Sequence, residues 1–358
     1  MAGSAPIDPT KFKDYAKLVF GALGGAMTSA MICLGDRLGL YRVLAETGAV
    51  TSVDLARRTG LSERWLREWL HQQGAAGVLE HLGEGRFALS PEGVAVLADE
   101  NHPAFGAGFF ASLPQNLAVL EALPESFRTG VGLPYDALGE EGARGIERGL
   151  APWFRTLLVP LVIPKLGVRE ALERGMAVAD LGCGAGQALI ALAKAFPRSE
   201  FHGYELSKHA LARAHENRAA EGLANLHFHD VSHDPLPEDA RFGFVVTLDV
   251  LHDMTDPAGA AKAVRRAIRD DGTWLVCEIK SHPSYEKNVA ENPMAAMMYG
   301  TSVLTCMSSA LSEPGGAGLG TLGLHADLLR SMVEDAGFTR FETLDFGHPV
   351  NAFYAIRP

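Results

Sequence analysis

The feature of this sequence that most restricts its fold is the segment AVADLGCGAG at residues 177–186, where three glycines alternate after an apolar run. Residues 176–181 are apolar and partly β-branched, which predicts a buried parallel strand, and the residues after the glycines have helical spacing. Gly182, Gly184 and Gly186 therefore lie on a strand-to-helix turn. Such a turn lets the backbone bend sharply and approach a ligand closely, where any Cβ atom would intrude.

The glycine turn lacks the residues that bind phosphate. A phosphate-binding loop would end in Gly-Lys-Ser/Thr, and a dinucleotide fingerprint would need glycine where this chain has Gln187. Glu205 ends the next apolar run, FHGYEL, where an acidic side chain accepts hydrogen bonds from both ribose hydroxyls in Rossmann-type folds. The pattern therefore predicts a pocket for an adenosine with a cationic tail and without a pyrophosphate.

With these motifs the chain resembles the class I S-adenosylmethionine-dependent methyltransferases, whose first motif is an acidic residue followed by alternating glycines. The resemblance implies an α/β fold with a Rossmann-like, seven-stranded core. It also implies S-adenosyl-L-methionine as the cofactor and S-adenosyl-L-homocysteine as the product. The residues predicted to bind the cofactor are Asp180, Gly182, Gly184, Gly186, Glu205, Leu206, Asp230, Val231, Asp249 and Tyr135.

Short apolar runs predict the remaining strands of such a core. The third strand ends at Asp230, where the family uses an acidic side chain against the adenine amino group. Asp249 follows the fourth strand, and Asp256 with Pro257 supplies a cap and a first-turn proline for the next helix. These later elements are strands at 227–230, 242–248 and 272–278, a helix at 324–336, and a closing antiparallel pair at 341–344 and 352–356.

Composition limits the class of protein. The chain has 358 residues, 47% of them hydrophobic, which is enough for two domains with a large core. The run LLVPLVIPKL is too short to span a membrane, and the N-terminus lacks a secretion signal, so we expect a cytoplasmic protein without a membrane span. Its four cysteines are scattered without a CxxC pair, which argues against disulfides and against a bound metal. A net charge of −11 would repel a polyanion.

The N-terminal region has a different organisation. Two short helices, at residues 52–58 and 62–74, each begin with a serine and have the spacing of a helix-turn-helix. A hairpin-like pair at residues 78–82 and 86–89 completes a mostly helical winged-helix domain. Residues 1–100 hold ten basic and twelve acidic side chains, whereas a DNA-binding domain usually has a basic surface. We therefore predict a structural or dimerising module that does not bind nucleic acid. The alternative is a DNA-binding regulator that senses S-adenosylmethionine.

A winged helix ahead of this core is the layout of the caffeic acid O-methyltransferase type and of a bacterial group of small-molecule methyltransferases. That resemblance implies a homodimer formed through the N-terminal domain. The apolar segment 22–40, which needs a covering surface, agrees with it. We predict a winged-helix domain at residues 1–100, a helical connector lining the acceptor pocket at 101–165, and a methyltransferase domain at 166–358.

The second informative segment is LDVLHDM, directly after the fourth strand. The plant O-methyltransferases that the chain resembles place a His-Asp pair there and use the histidine as a general base, which implies this role for His252 beside Asp253. An imidazole with its ordinary pKa of about 6.5 can take a hydroxyl proton during methyl transfer. Glu278, at the end of the fifth strand, matches one of the two carboxylates that hold this base in the family. The region of the second carboxylate is GLGTLGL and contains no acid.

These residues predict O-methylation of a small-molecule hydroxyl. Around Met298, methionines offer soft, adaptable side chains to an apolar acceptor, and Arg155 would bind an acceptor carboxylate. The residues predicted to form the acceptor pocket are Trp153, Arg155, Met298 and Tyr299. The alternatives are N- or C-methylation, and S-methylation of a thioether such as a methylthio hydroxy acid of the dimethylsulfoniopropionate pathway. A thioether has no proton to lose, so it would not need His252 as a base.

Overall fold

The computed structural model describes residues 6–358, which divide into two compact units. The first unit ends at Leu113, and the second extends from Pro114 to Pro358. Residues 101–165, predicted as one connector, are therefore shared between the two units.

The first unit is a helical domain with a small two-stranded wing. Leu40, Leu55 and Leu70 lie fully buried at the centre of its apolar core. A bridge between Val50 and Phe87 joins the wing to the chain directly ahead of the first helix of the helix-turn-helix. The winged-helix fold is confirmed. The elements are α1 (Pro9–Arg37), α2 (Leu40–Thr47), α3 (Ser52–Thr59), α4 (Glu63–Ala75), β1 (Glu80–His81), β2 (Phe87–Ala88), α5 (Pro91–Leu97) and α6 (Ala107–Ala111).

The charges on α4, the second helix of the helix-turn-helix, neutralise one another. Arg64 pairs with Glu68 at 2.5 Å, and Arg67 pairs with Glu63 at 2.5 Å, each four residues apart along the helix. Such spacing brings opposite charges together on one helix face. Paired arginines present little net positive charge to a polyanion, which supports the prediction of a structural role for this domain.

Helix α1 is long, apolar and largely exposed. Phe12, Leu18 and Phe20 are each more than 60% exposed. By length and composition alone α1 could cross a membrane, with a mean hydropathy of 1.8 over a window that is 17% buried. The expectation that no segment is long enough to span a membrane is wrong. Asp8 caps the helix and Pro9 begins it, so α1 starts well ahead of the predicted segment 22–40.

The second unit is built on one seven-stranded sheet with the order β5-β4-β3-β6-β7-β9-β8. Strand β9 runs antiparallel to both of its neighbours, and the strands from β5 to β7 are parallel. This arrangement confirms the predicted Rossmann-like class I core. The strands are β3 (Ala177–Leu181), β4 (Glu200–Glu205), β5 (Leu226–Asp230), β6 (Phe242–Leu248), β7 (Ile268–Ile279), β8 (Arg340–Leu344) and β9 (Asn351–Arg357).

Helices cover both faces of this sheet. The α-helices are α7 (Leu113–Ala118), α8 (Leu123–Thr129), α9 (Gly139–Trp153), α10 (Ile163–Leu166), α11 (Arg169–Arg174), α12 (Gln187–Ala195), α13 (Lys208–Glu221), α14 (Pro257–Ala267), α15 (Tyr285–Glu291), α16 (Ala295–Leu304), α17 (Cys306–Ala310) and α18 (Ala326–Asp335). Shorter helical pieces are the 3-10 turns Val119–Glu121, Tyr135–Leu138 and Leu251–Asp253 and the π-helical segment Phe154–Val162.

The alternation of side chains along each strand explains the two apolar layers. Val178 of β3 lies in a core with residues of α12 and α13, whereas the next residue, Ala179, lies in a core with residues of α14 and α18. All seven residues of β6 are buried, as expected for a central strand covered on both faces. The strand order reverses between β3 and β6, so a crevice for ligands opens at their carboxyl ends.

Candidate active site

The glycine turn that follows β3 requires its glycines. Gly182 has a φ of +78° and Gly186 a φ of +77°, a backbone region that other residues rarely adopt. A Cβ atom on Gly182 would lie 2.4 Å from Val250, and one on Gly186 would lie 2.3 Å from the ring of Phe228. The turn is therefore packed against the ends of the neighbouring strands and leaves its backbone as the surface toward the crevice.

Two carboxyl groups flank this turn, Asp180 buried and Glu205 half-buried. Glu205 accepts hydrogen bonds from the backbone N–H groups of Gly184 at 2.7 Å and of Leu206 and Ser207 at 2.8 Å each. Asp180 is 2% exposed, and among the described residues its Oδ1 atom has no hydrogen-bond partner. Burial, together with the negative charge of Glu205, raises the pKa of Asp180 well above its usual value. A buried carboxyl with an unpaired oxygen suits a ligand that brings a cation or hydrogen-bond donors.

Two further carboxyl groups lie at the carboxyl ends of β5 and β6. Asp230 lies directly opposite Glu205 in the register of β4 and β5, and its carboxylate accepts a bond from the backbone N–H of Ser232 at 3.0 Å. Asp249 follows β6 with a φ of +55°, and the side chain of Asn351 donates to it at 2.5 Å. Burial and the charge of Glu278 raise the pKa of Asp249 to about 7.

Among the other predicted cofactor residues, Val231 donates its backbone N–H to the carbonyl of Glu205 at 3.1 Å, and Leu206 is 68% exposed. The carboxyl ends of β3, β4, β5 and β6 thus bring the predicted cofactor residues to one edge of the sheet. Acidic groups around a glycine turn fit the adenosine and the cationic tail of S-adenosylmethionine.

His252 lies on the 3-10 turn after β6, 3% exposed, between two carboxylates. A hydrogen bond of 2.5 Å joins its Nδ1 atom to Oε2 of Glu278, whose other oxygen accepts the backbone N–H of Leu251 at 2.8 Å. On the opposite side of the ring, Nε2 lies 3.1 Å from Oδ1 of Asp253. The second carboxylate, which the segment GLGTLGL does not supply, is therefore the residue next to the histidine.

The charge of His252 is set by these neighbours. Burial by itself lowers the pKa of the imidazole, but the charges of Asp253 and Glu278 outweigh burial and raise the pKa well above its usual value. The thiol of Cys306 completes the cluster, with its Sγ atom within 4.8 Å of ligand atoms of both His252 and Asp253.

A short turn crosses the crevice, and we call it the strap (Tyr135–Leu138). The hydroxyl of Tyr135 donates to Oδ2 of Asp253 at 2.7 Å, beyond β6. The hydroxyl of Ser207, which follows β4, donates to Oδ1 of the next strap residue, Asp136, at 2.6 Å. Burial and the charge of Asp253 raise the pKa of Tyr135 well above its usual value, so the phenol keeps its proton. The strap therefore connects the cofactor side of the crevice with the histidine cluster.

The residues predicted for the acceptor pocket lie in several environments. Trp153 stacks on Phe353 with ring centroids 5.6 Å apart, and Met298 is 4% exposed in a small apolar cluster. The hydroxyl of Tyr299 accepts a hydrogen bond from the side chain of Asn288 at 3.3 Å. Arg155 is exposed on the π-helical segment. Their contact with an acceptor stays a prediction.

Comparison with known proteins agrees with this architecture. Residues 172–337 match the family model of a methyltransferase domain, and residues 26–99 match the model of an Rv2258c-like winged HTH domain. Together with the sheet topology, these matches define a class I methyltransferase fold that carries an N-terminal winged helix. The chain thus combines a methyltransferase domain with an N-terminal winged HTH domain.

Individual relatives and solved structures support the same assignment. The chain is 28% identical to the mitomycin biosynthesis 6-O-methyltransferase of Streptomyces lavendulae over 191 residues, 49% of this chain and 52% of that protein. The alignments cover from 5% to 52% of the curated relatives' own lengths, about half at most. The structure of mitomycin 7-O-methyltransferase shares the fold at 20% identity, with a TM-score of 0.66 over 98% of this chain and 100% of that chain. Human N-acetylserotonin methyltransferase, solved with S-adenosylmethionine, shares it at 17% identity, with a TM-score of 0.67 over 100% and 99%.

Proposed function

We propose that this protein transfers a methyl group from S-adenosylmethionine to a hydroxyl of a small molecule, with His252 as the general base. The observation that carries the proposal is the pairing of two sites across one crevice. The acidic groups around the glycine turn form one site, the Glu278–His252–Asp253 chain forms the other, and the strap joins them. The similar mitomycin and N-acetylserotonin methyltransferases agree with a small-molecule acceptor.

The cofactor residues have distinct roles in this proposal. Glu205 binds the ribose hydroxyls and Asp230 faces the adenine, while Asp180 and Asp249 attract the cationic amino acid tail. When bound, S-adenosylmethionine supplies an electrophilic methyl group on a sulfonium. The protein contributes mainly by positioning the two reactants in a site with little water, since direct methyl transfer needs no covalent enzyme intermediate.

The histidine cluster would move the acceptor proton. Glu278 fixes the ring orientation through Nδ1, so the neutral form of His252 would present its lone pair at Nε2. That atom would take the proton from the acceptor hydroxyl, and Asp253 would stabilise the resulting imidazolium at 3.1 Å. Tyr135 donates to Oδ2 of Asp253 at 2.7 Å, so an acceptor that bonds to this carboxylate oxygen would have to displace the tyrosine hydroxyl.

The direct test is an acceptor screen with radiolabelled S-adenosylmethionine and the full-length protein. We expect label to transfer to hydroxylated aromatic compounds, because the cluster is built to remove a proton. Methylthio hydroxy acids serve as the comparison set. Transfer only to a sulfur acceptor would contradict O-methylation and support the thioether alternative, and transfer to neither set would contradict both.

Cofactor binding should release protons. Asp249, with a pKa of about 7, is partly protonated at neutral pH, and the raised pKa of Asp180 acts in the same direction. A cationic ligand lowers both pKa values, so we expect about half a proton or more to leave at pH 7. Calorimetry in two buffers of different ionisation enthalpy measures this number. Asp249→Asn should reduce the number of protons released. Proton uptake by the wild type, or the same buffer dependence in Asp249→Asn as in the wild type, would contradict the assignment.

The exposed face of α1 supports the proposed homodimer. Phe12, Leu18 and Phe20 would remain in water in a single chain, and burying such side chains contributes about 1.5–3 kcal/mol each. We expect the purified protein to sediment as a dimer, and Leu18→Glu with Phe20→Glu to shift it to a monomer. A monomeric wild-type protein that binds lipid vesicles through the same residues would contradict the dimer.

A further inference from the structure

Three side chains in the histidine cluster supply the ligand types that zinc takes in proteins. His252 offers an imidazole nitrogen, Asp253 a carboxylate oxygen and Cys306 a sulfur, and the three atoms lie within 4.8 Å of one another. Thiolate and imidazole ligands favour zinc and chemically similar ions over magnesium or calcium, which prefer oxygen. The sequence pattern gave no sign of this group, because Cys306 belongs to α17 and lies far along the chain from the other two.

Distances within the group agree with a shared ion. Nε2 of His252 and Oδ1 of Asp253 are 3.1 Å apart, and two such ligands on a tetrahedral zinc are separated by about 3.3 Å. Oδ1 of Asp253 is buried, and within the described residues it has no hydrogen-bond partner, so its short distance to the ring is not a well-aligned hydrogen bond. A buried carboxylate oxygen without a hydrogen-bond partner can still coordinate an ion.

Nδ1 of His252 already makes the contact that the second ring nitrogen makes in zinc-binding histidines. Histidines that bind zinc usually donate the second ring N–H to a carboxylate, which fixes the tautomer and leaves the first nitrogen free for the ion. Glu278 makes this contact at 2.5 Å, and its own position is held by the backbone N–H of Leu251 at 2.8 Å. The outer contact therefore exists before any ion binds.

Charge also favours a cation at this place. Asp253, Glu278 and a deprotonated Cys306 would carry three negative charges in a region where His252 is 3% exposed. A divalent ion compensates most of this charge. The hydroxyl of Tyr135 lies 2.7 Å from Oδ2 of Asp253 and 3.7 Å from Sγ of Cys306, within reach of the same group of side chains.

We propose that His252, Asp253 and Cys306 bind a zinc-type divalent ion, which excludes the acceptor from the catalytic histidine. The ion bonds to Nε2, Oδ1 and Sγ, and the thiol proton and the proton on Nε2 leave to solvent. Because the ion and the acceptor proton need the same nitrogen, the metal-bound form cannot use His252 as a base. The inhibitory consequence rests on the proposed function, but metal binding itself does not.

The test is a titration of the full-length, chelator-treated protein with Co²⁺, without cofactor or acceptor. Cobalt occupies zinc sites and produces a thiolate-to-cobalt charge-transfer absorption when a cysteine binds it. We expect one ion per chain with this absorption, its displacement by Zn²⁺, and its loss in Cys306→Ser. Cys33→Ser changes another buried cysteine, in the first unit, and should keep the absorption. Glu278→Gln should weaken binding about tenfold to a hundredfold.

Two results would overturn the proposal. The first is no cobalt binding by the wild-type protein, or an absorption that Cys306→Ser leaves unchanged while thermal melting shows that variant to be folded. The second is binding that His229→Ala abolishes, because His202 and His229 approach each other at 3.1 Å on β4 and β5 and form the rival metal pair.

An activity measurement then separates the two proposals. Zn²⁺ at the concentration that displaces cobalt should stop methyl transfer, and a chelator should restore it. Cobalt binding without any methyl transfer in the acceptor screen would leave the metal site standing and contradict the proposed function. Full activity in the zinc-loaded protein would contradict the inhibitory role.

Discussion

Replacing His252 with alanine is expected to lower kcat for a hydroxyl acceptor by about a hundredfold or more, the usual contribution of a general base. The variant removes the atom that receives the proton, while the cofactor residues on the other side of the crevice remain. Initial rates with saturating S-adenosylmethionine and the acceptor identified in the screen measure the effect. Binding of S-adenosylhomocysteine, measured by calorimetry, should change little. This result would distinguish a loss of catalysis from a loss of folded protein.

The alanine variant also leaves two buried carboxylates without their partner, and breaking such a pair costs about 3–5 kcal/mol of stability. His252→Gln keeps a polar side chain between Glu278 and Asp253 and is the better-folded companion variant. A near-normal rate in both variants would exclude base catalysis. It would instead favour the thioether alternative, in which no proton has to leave the acceptor.

The second large effect is expected at the cofactor. Glu205→Ala should weaken binding of S-adenosylhomocysteine about tenfold to a hundredfold, because hydrogen bonds to a charged group contribute about 1.5–3 kcal/mol each. The substitution removes the proposed ribose partner and also the acceptor that holds the backbone N–H of Gly184 at 2.7 Å. Isothermal calorimetry of the purified variant measures the change in affinity.

A matched control lies on the same strand. Glu200 begins β4, as Glu205 ends it, but its side chain is 57% exposed and pairs with His227 at the far end of the strand. Glu200→Ala should therefore bind S-adenosylhomocysteine as the wild type does. Equal affinity in the wild type and in Glu205→Ala would show that the ribose is held by another residue.

Local patterns in the sequence predicted the elements that carry the cofactor site. Alternating glycines, a strand-end acid and runs of buried apolar residues depend on neighbours along the chain, so their structural meaning is visible in a short window. The positions of Asp180 and Glu205 beside the glycine turn follow from these local rules. The start of α1 did not, because its capping residue Asp8 lies outside the apolar segment from which that helix was predicted.

Only some residues of the histidine cluster could be predicted from the sequence. Glu278 was predicted as a partner of His252 from the family resemblance, and it lies near the end of β7, the strand beside β6. Asp253 was assigned to the site, but its contact with the ring depends on the tight 3-10 turn that brings the two side chains together. Cys306 and the strap residue Asp136 reach the site through distant elements, and single-sequence patterns carry no information about such contacts.

The strap also bears on the order of events in each catalytic cycle. It is held across the crevice by two side-chain hydrogen bonds, from Tyr135 to Asp253 and from Ser207 to Asp136, and each contributes about 0.5–1.5 kcal/mol net. Bonds of this strength break readily, so the two hydrogen bonds by themselves would not keep the strap closed. Tyr135→Phe, which removes the bond to Asp253 and the contact with Sγ of Cys306, would then speed product departure. The strap would then act as a gate, in which release of the product cofactor and binding of the next acceptor both depend on one tyrosine hydroxyl.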